Sequence, residues 1–187
     1  MPIAGKLITL EGGEGAGKST QRARLAERLE AGGSRVLRLR EPGGTPLGET
    51  MRDVLKRPGS VIAPEAEALL VAACRAQLVA EVIAPALAAG AVVLCDRFID
   101  STVAYQSGGR GLERAAIEAA NRLACGPLRP HLTFLLDLDP TRGLGRASLR
   151  DHGRSDRFEA LGEEFHRRVR ASYHALVREA PARFRVL

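Results

Sequence analysis

The chain has 187 residues, 45% of them hydrophobic, enough for one ordered domain with a proper core, or for a domain carrying a small lid. No stretch reaches the roughly 18 uninterrupted apolar residues of a membrane helix, and the N-terminus lacks the charged-then-apolar layout of a signal peptide, so a cytoplasmic protein with no membrane partner is the expectation. The net charge of +6 rests almost wholly on arginine and suits either guanidinium forks around phosphate or a bland Arg-rich composition, while an aromatic content of 4% argues against a nucleic-acid polymer as partner.

Along the chain, short β-like runs alternate with longer helical stretches, the pattern of an α/β fold: a three-layer sandwich with a five-stranded parallel sheet covered on both faces. "KLITLE" (6–11) predicts the first strand, and a helix over 18–31 follows, with Leu25 and Leu29 four apart and Gly32-Gly33 as its stop. "RVLRLR" (35–40) is the second strand. The apolar stretch 64–90 reads as a long helix or helix pair, with Pro85 marking a kink or break. "AVVLCD" (91–96), "LTFLLDL" (132–138) and "RFRVL" (183–187) complete the strands, and further helices are expected over 113–124 and 157–179. "RDHGRS" (150–155) is polar, contains glycine and reads as a mobile loop. Cys74, Cys95 and Cys125 lack metal-binding spacing and read as reduced core residues.

The stretch "EGGEGAGKST" (11–20) carries the sharpest signal. Gly12, four residues, then Gly17-Lys18-Ser19 fits G-x-x-x-x-G-K-[ST], and it lies after a strand and before a helix, as that pattern requires. With few side chains from Gly12 through Gly13, Glu14, Gly15, Ala16 and Gly17 to Lys18, Ser19 and Thr20, backbone N–H groups can surround phosphate oxygens, and the helix start adds its positive dipole end. Lys18 can reach the β- and γ-phosphates of ATP and Ser19 can ligate Mg²⁺. The motif alone leaves kinases, ATPases and GTPases open.

The second substrate separates them. A switch GTPase would carry D-x-x-G and N-K-x-D motifs, which are absent; the third strand runs instead into "CDRFIDSTVAYQ" (95–106). Asp96 ends that strand, where a carboxylate can hold Mg²⁺ directly or through water, and Arg97 beside it can grip a phosphate or simply pair with its neighbour.

These residues bring a resemblance with them. "EGGEGAGKST", "REPGGT" (40–45), "CRAQL" (74–78), "DRFIDSTVAYQ" (96–106), "GGRG" (108–111) and "DRFE" (156–159) occur in the order found in bacterial thymidylate kinases, P-loop nucleoside monophosphate kinases that the chain resembles from about residue 6 to residue 180. The resemblance implies a single P-loop kinase domain over 1–187 with a lid at about 146–159, ATP and Mg²⁺ as cofactors, and transfer of the γ-phosphoryl of ATP to thymidine 5′-monophosphate (TMP). It implies that the loop holding Glu41 and Pro42, with Arg52, Arg75 and Arg97, surrounds the acceptor phosphate, and that Thr102, Tyr105 and Gln106 lie around the nucleoside, the Tyr105 ring crowding out a ribose 2′-hydroxyl. With Gly15 in the loop slot where some members carry arginine, the lid is expected to supply it. Arg146, Arg150, Arg154 and Arg157 are on offer, and Arg150 and Arg154, flanking Gly153, are the candidates of choice. A homodimer is the usual family state.

Two departures stand out. Val71 occupies the place where the family stacks an aromatic ring on thymine, on the helix face shared with Arg75. The sequence also ends at "RFRVL", where the family commonly continues through an adenine-side loop and a final helix, so a shortened form is expected. A deoxynucleoside kinase with Glu41 as base, or a non-catalytic P-loop ATP-binding module, are the alternatives.

Overall fold

A computed structural model describes residues 5–150, 153 and 155–187. The apolar runs form five strands: β1 (Lys6–Glu11), β2 (Val36–Arg40), β3 (Val92–Asp96), β4 (Leu132–Leu135) and β5 (Phe184–Val186). Their order is β2-β3-β1-β4-β5 and every neighbouring pair is parallel. β4 stops three residues short of the predicted 138, because the chain is already leaving for a helix that starts at Pro140.

Between β1 and β3 the connections diverge, so the loops after these two strands open side by side beyond their carboxyl ends, the place where open α/β sheets bind ligands. Leu10 lies opposite Asp96, and the Arg97 N–H donates to Leu10 O at 3.0 Å. The glycine loop and the Asp96-Arg97 turn are thereby held next to each other.

Helix α1 (Lys18–Ala31) fills its predicted span. Helix α3 (Pro64–Leu78) does not break at Pro85: it runs through a π-helical turn, Val79–Ile83, into α4 (Ala84–Ala88). The wider turn precedes the proline, which has no N–H to continue the ladder and a ring that crowds the carbonyl one turn back. This 25-residue helix is long and apolar enough to cross a membrane, yet it packs as a core element, with Leu78 and Ile83 fully buried against Leu7 and Val93 of the sheet.

The stretch after β3 is also helical, as α5 (Ile99–Thr102) and a second π-helical turn, Val103–Gly109. Helix α6 (Arg114–Cys125) matches the expectation within one residue. The predicted 157–179 helix, here α8 (Gly162–Glu179), begins five residues late because Gly162 has a positive φ and ends a short 3-10 turn, Glu159–Leu161. Besides α5, two helices were not predicted: α2 (Pro46–Lys56), capped by the Thr45 hydroxyl accepting from Gly48 N, and α7 (Pro140–Arg150), whose first N–H groups donate to Asp139 Oδ1.

One apolar cluster joins Leu7, Leu39, Leu78, Val93 and Phe98, and another joins Val103, Tyr105, Leu135, Phe165 and Tyr173. All three cysteines are buried and unpaired.

Candidate active site

A cavity of about 820 Å³ opens over the carboxyl ends of β1 and β3. Of the site residues predicted from sequence, all line it except Gly12 and Gly13, which border a small recess next to it, and Arg154, which lies outside the described residues, as does much of the expected 150–155 loop.

The donor end is built from backbone. Gly15 has φ 64°, and a Cβ there would sit 2.1 Å from the Gly143 carbonyl oxygen of α7; a Cβ at Gly143 would meet Glu14 O at 2.3 Å. Only a glycine pair lets the loop rest on the helix this way. Helix α1 starts at Lys18 without a side-chain cap, leaving first-turn N–H groups for a phosphate. Lys18 Nζ folds onto the loop, donating to Gly12 O at 3.1 Å and Gly13 O at 2.6 Å. Burial, and then repulsion from Arg97, bring its pKa down to about 8.

Ser19 Oγ donates to Asp96 Oδ2 at 2.7 Å. Helix start and strand end thus bring together two hard oxygen donors, the ligand type Mg²⁺ takes, and the described residues hold no cluster of three His, Cys, Asp or Glu that would compete. These residues fit the ion as it is bound in kinases, by one carboxylate and one hydroxyl with substrate phosphates completing the shell.

Arg97 stands between the two ends. Its backbone is left-handed, φ 72°, unusual for a residue with a Cβ. Its Nη2 donates to Glu14 Oε1 at 2.7 Å and to the Tyr105 hydroxyl at 2.9 Å, Nη1 donates to Gly12 O at 3.2 Å, and the guanidinium lies 4.6 Å over the Tyr105 ring. Burial alone would raise the Glu14 pKa, but Arg97 and then Lys18 outweigh it and hold the carboxyl at about 2.

The acceptor end is built from side chains gathered across the fold. Arg75, 1% exposed, donates Nε to Glu41 Oε2 at 2.8 Å, Nη1 to Asn121 Oδ1 at 2.7 Å and Nη2 to Phe98 O at 3.1 Å. It lines the cavity with its three guanidinium nitrogens engaged by protein partners. Arg52 Nη1 donates to Pro42 O at 2.8 Å. Val71 lies on α3 one turn from both Glu67 and Arg75, and all three are buried. Gln106 Nε2 donates to Glu67 Oε1 at 2.8 Å, and the Thr102 hydroxyl has no hydrogen-bond partner among the described residues.

Arg157 does not act as a free lid cation. It is buried, donating Nε to Leu55 O at 2.7 Å and Nη2 to Glu67 Oε2 at 2.6 Å. Arg146 and Arg150 do line the cavity, and Arg150 Nη2 donates to Glu159 Oε1 at 3.0 Å. Sequence reasoning missed Glu67, the buried hub joining Gln106, Arg110 and Arg157, and Lys56, which pairs with Asp156 at 2.7 Å. It also missed Glu11, a charged residue at the buried end of β1 directly before the glycine loop, and that position was the signal available.

The thymidylate kinase family model matches residues 10–187. The chain belongs to the thymidylate kinase family. It is 56% identical over 183 residues to the thymidylate kinase of Pseudomonas fluorescens (strain Pf0-1), covering 97% of this chain and 86% of that one. It is 52% identical over 183 residues to the thymidylate kinase of Deinococcus radiodurans, covering 98% and 88%. The crystal structure of thymidylate kinase from Ehrlichia chaffeensis superposes with a TM-score of 0.81 at 33% identity, covering 98% of this chain and 93% of that one. The five-stranded parallel sheet with helices on both faces is therefore the family's fold.

Proposed function

We infer that this chain transfers the γ-phosphoryl of ATP to TMP, giving dTDP and ADP. Family membership supports the reaction; the observation that carries it to the residues is a single cavity shared by the phosphate loop, the Ser19-Asp96 pair, Arg97 and the Val71-Thr102-Tyr105-Gln106 wall.

The reaction has no need of a proton-abstracting group, because a phosphomonoester has its second pKa near 6 and is mostly a dianion at neutral pH. The obstacle is repulsion between that dianion and the ATP phosphates. Loop amides and Lys18 hold the donor, Arg97 and Arg52 draw in the acceptor phosphate, and Arg150 and Arg154 close from the lid over the transferring group. Mg²⁺, held by Ser19 and Asp96, would draw charge from the phosphate oxygens. Glu41 as a base finds little support, since its Oε2 is ion-paired to buried Arg75 at 2.6 Å. The Tyr105 hydroxyl and ring, fixed by Glu14 and Arg97, form the wall that crowds a ribose 2′-hydroxyl.

The chain acts as one kinase domain, in the cytoplasm, and as a homodimer. Leu69 of α3 and Leu123 of α6 are 65% and 90% exposed on neighbouring helices, apolar surface that a second copy would cover. An ADP-release assay across TMP, dUMP, dCMP, AMP, GMP and thymidine tests the reading. Magnesium-dependent turnover highest with TMP is expected; turnover of thymidine but not TMP would overturn it in favour of a nucleoside kinase, and slow ATP hydrolysis indifferent to any acceptor in favour of a binding module.

A further inference from the structure

Behind the phosphate loop lies a carboxyl that the transfer chemistry does not use. Glu11, the last residue of β1, is fully buried. Its Oε1 accepts the Phe98 N–H at 2.8 Å; its Oε2 accepts the Ser101 hydroxyl at 2.6 Å and the Tyr173 hydroxyl at 3.0 Å. Those two hydroxyls, 2.8 Å from each other, both accept from Arg97 Nη1, at 3.3 Å for Ser101 and 3.5 Å for Tyr173.

Glu11 therefore reaches Arg97 by two routes. Through Phe98 it fastens the backbone just after the left-handed residue, while the Arg97 N–H is fastened to Leu10 on the same strand end. An L-residue with a positive φ persists only where its surroundings over-determine it, and β1 supplies that restraint on both sides. Through Ser101 and Tyr173 it fixes the oxygens against which the guanidinium rests. A carboxyl placed behind a cation that must receive a phosphate would oppose binding if it carried full charge. Burial, then the nearby Asp100, push the Glu11 pKa up to about 8, which favours its neutral form and weakens that opposition.

We propose that Glu11 is the positioning residue for Arg97, setting backbone and guanidinium for the acceptor phosphate without touching either substrate. This rests on the reading of Arg97 as an acceptor-phosphate ligand. The neighbouring carboxylate Asp100 is spent on Arg183, which approaches it at 2.6 and 2.8 Å, and does not reach Arg97 by any hydrogen bond among the described residues.

The test is a double-mutant cycle on the whole chain, with kcat/KM for TMP and KM for ATP measured separately. Glu11→Ala is expected to lower kcat/KM for TMP about 30-fold and to leave KM for ATP within about twofold, since a misplaced binding group costs rate without removing it. In an Arg97→Ala background the same change is expected to cost less than about threefold, because the residue it positions is gone. Glu11→Gln, an uncharged amide that can still accept from Phe98 and meet the hydroxyls, should restore activity to within about threefold of wild type. Equal losses in both backgrounds, or a rise in KM for ATP matching the TMP effect, would overturn the proposal. Should Glu11→Ala not fold, Tyr173→Phe run through the same cycle decides it, with about a fivefold loss expected only where Arg97 is present. Wild-type turnover, measured alongside, tests the kinase reading separately.

Discussion

The two ends of the cavity are made by different means. The donor end is one continuous stretch, Gly12 to Thr20, whose working parts are main-chain amides and whose shape depends on missing side chains. The acceptor end has no local identity. Its residues come from β2, α2, α3, β3 with α5, and the segment before α8, and buried ion pairs such as Glu41-Arg75 and Glu67-Arg157 hold them together. A backbone site fails through geometry; a side-chain site fails through uncompensated charge.

Substitutions at each end should break it in its own way. At the donor end, Lys18→Ala is expected to lower kcat about 10²–10³-fold with the fold intact by circular dichroism. Gly15→Ala should abolish ATP binding in calorimetry, since the new methyl would meet the Gly143 carbonyl at 2.1 Å with a φ that disfavours any side chain. At the acceptor end, Arg75→Ala strands a buried carboxyl and should destabilise the fold by about 3–5 kcal/mol in denaturant titration, whereas Glu41→Leu with Arg75→Met should cost much less. A similar loss from both would mean that the pair is not what organises this end.

Smaller changes sharpen the contrast. Val71→Phe adds a ring to the nucleoside wall and should tighten TMP binding about fivefold in calorimetry while leaving ATP affinity alone. Unchanged TMP affinity would mean that another group already supplies what the valine lacks. The smallest effect separates two carboxyls three residues apart. Glu14 is held at about 2 against an ordinary 4.5, so its stabilisation is present above 4.5 and lost as pH falls toward 2. Glu11, pushed up to about 8, has the opposite sign: its stabilisation is complete below 4.5 and is lost as pH climbs through 8. Melting temperatures across this range should lose the acid limb in Glu14→Gln and the alkaline limb in Glu11→Gln.

The same contrast explains what could be read from the sequence. The donor end was legible because a contiguous motif between an apolar strand and a helix leaves its whole pattern in neighbouring residues, and all five strands followed from their apolar runs. Helices α2 and α7 were not. Each carries glycine inside it, Gly48 in one and Gly143 with Gly145 in the other, which suppresses helical propensity, although Thr45-Pro46 and Asp139-Pro140 are sound start signals. Glu67 and Arg157 are 90 residues apart, so no local pattern announces their pairing or the burial that withdraws Arg157 from the lid. The π-helical turns escaped for a related reason, since a change of period lasting five or seven residues is too short to register as periodicity.

The close approach of Gly15 to Gly143 has a mechanical corollary. With no side chain to cushion either partner, loop and helix touch backbone to backbone, and the start of α7 cannot shift without the phosphate cradle shifting too. Arg146 lies one turn along the helix from that contact and Arg150 two, about 4.5 and 10.5 Å away, so any tilt about it would carry Arg150 through the wider arc.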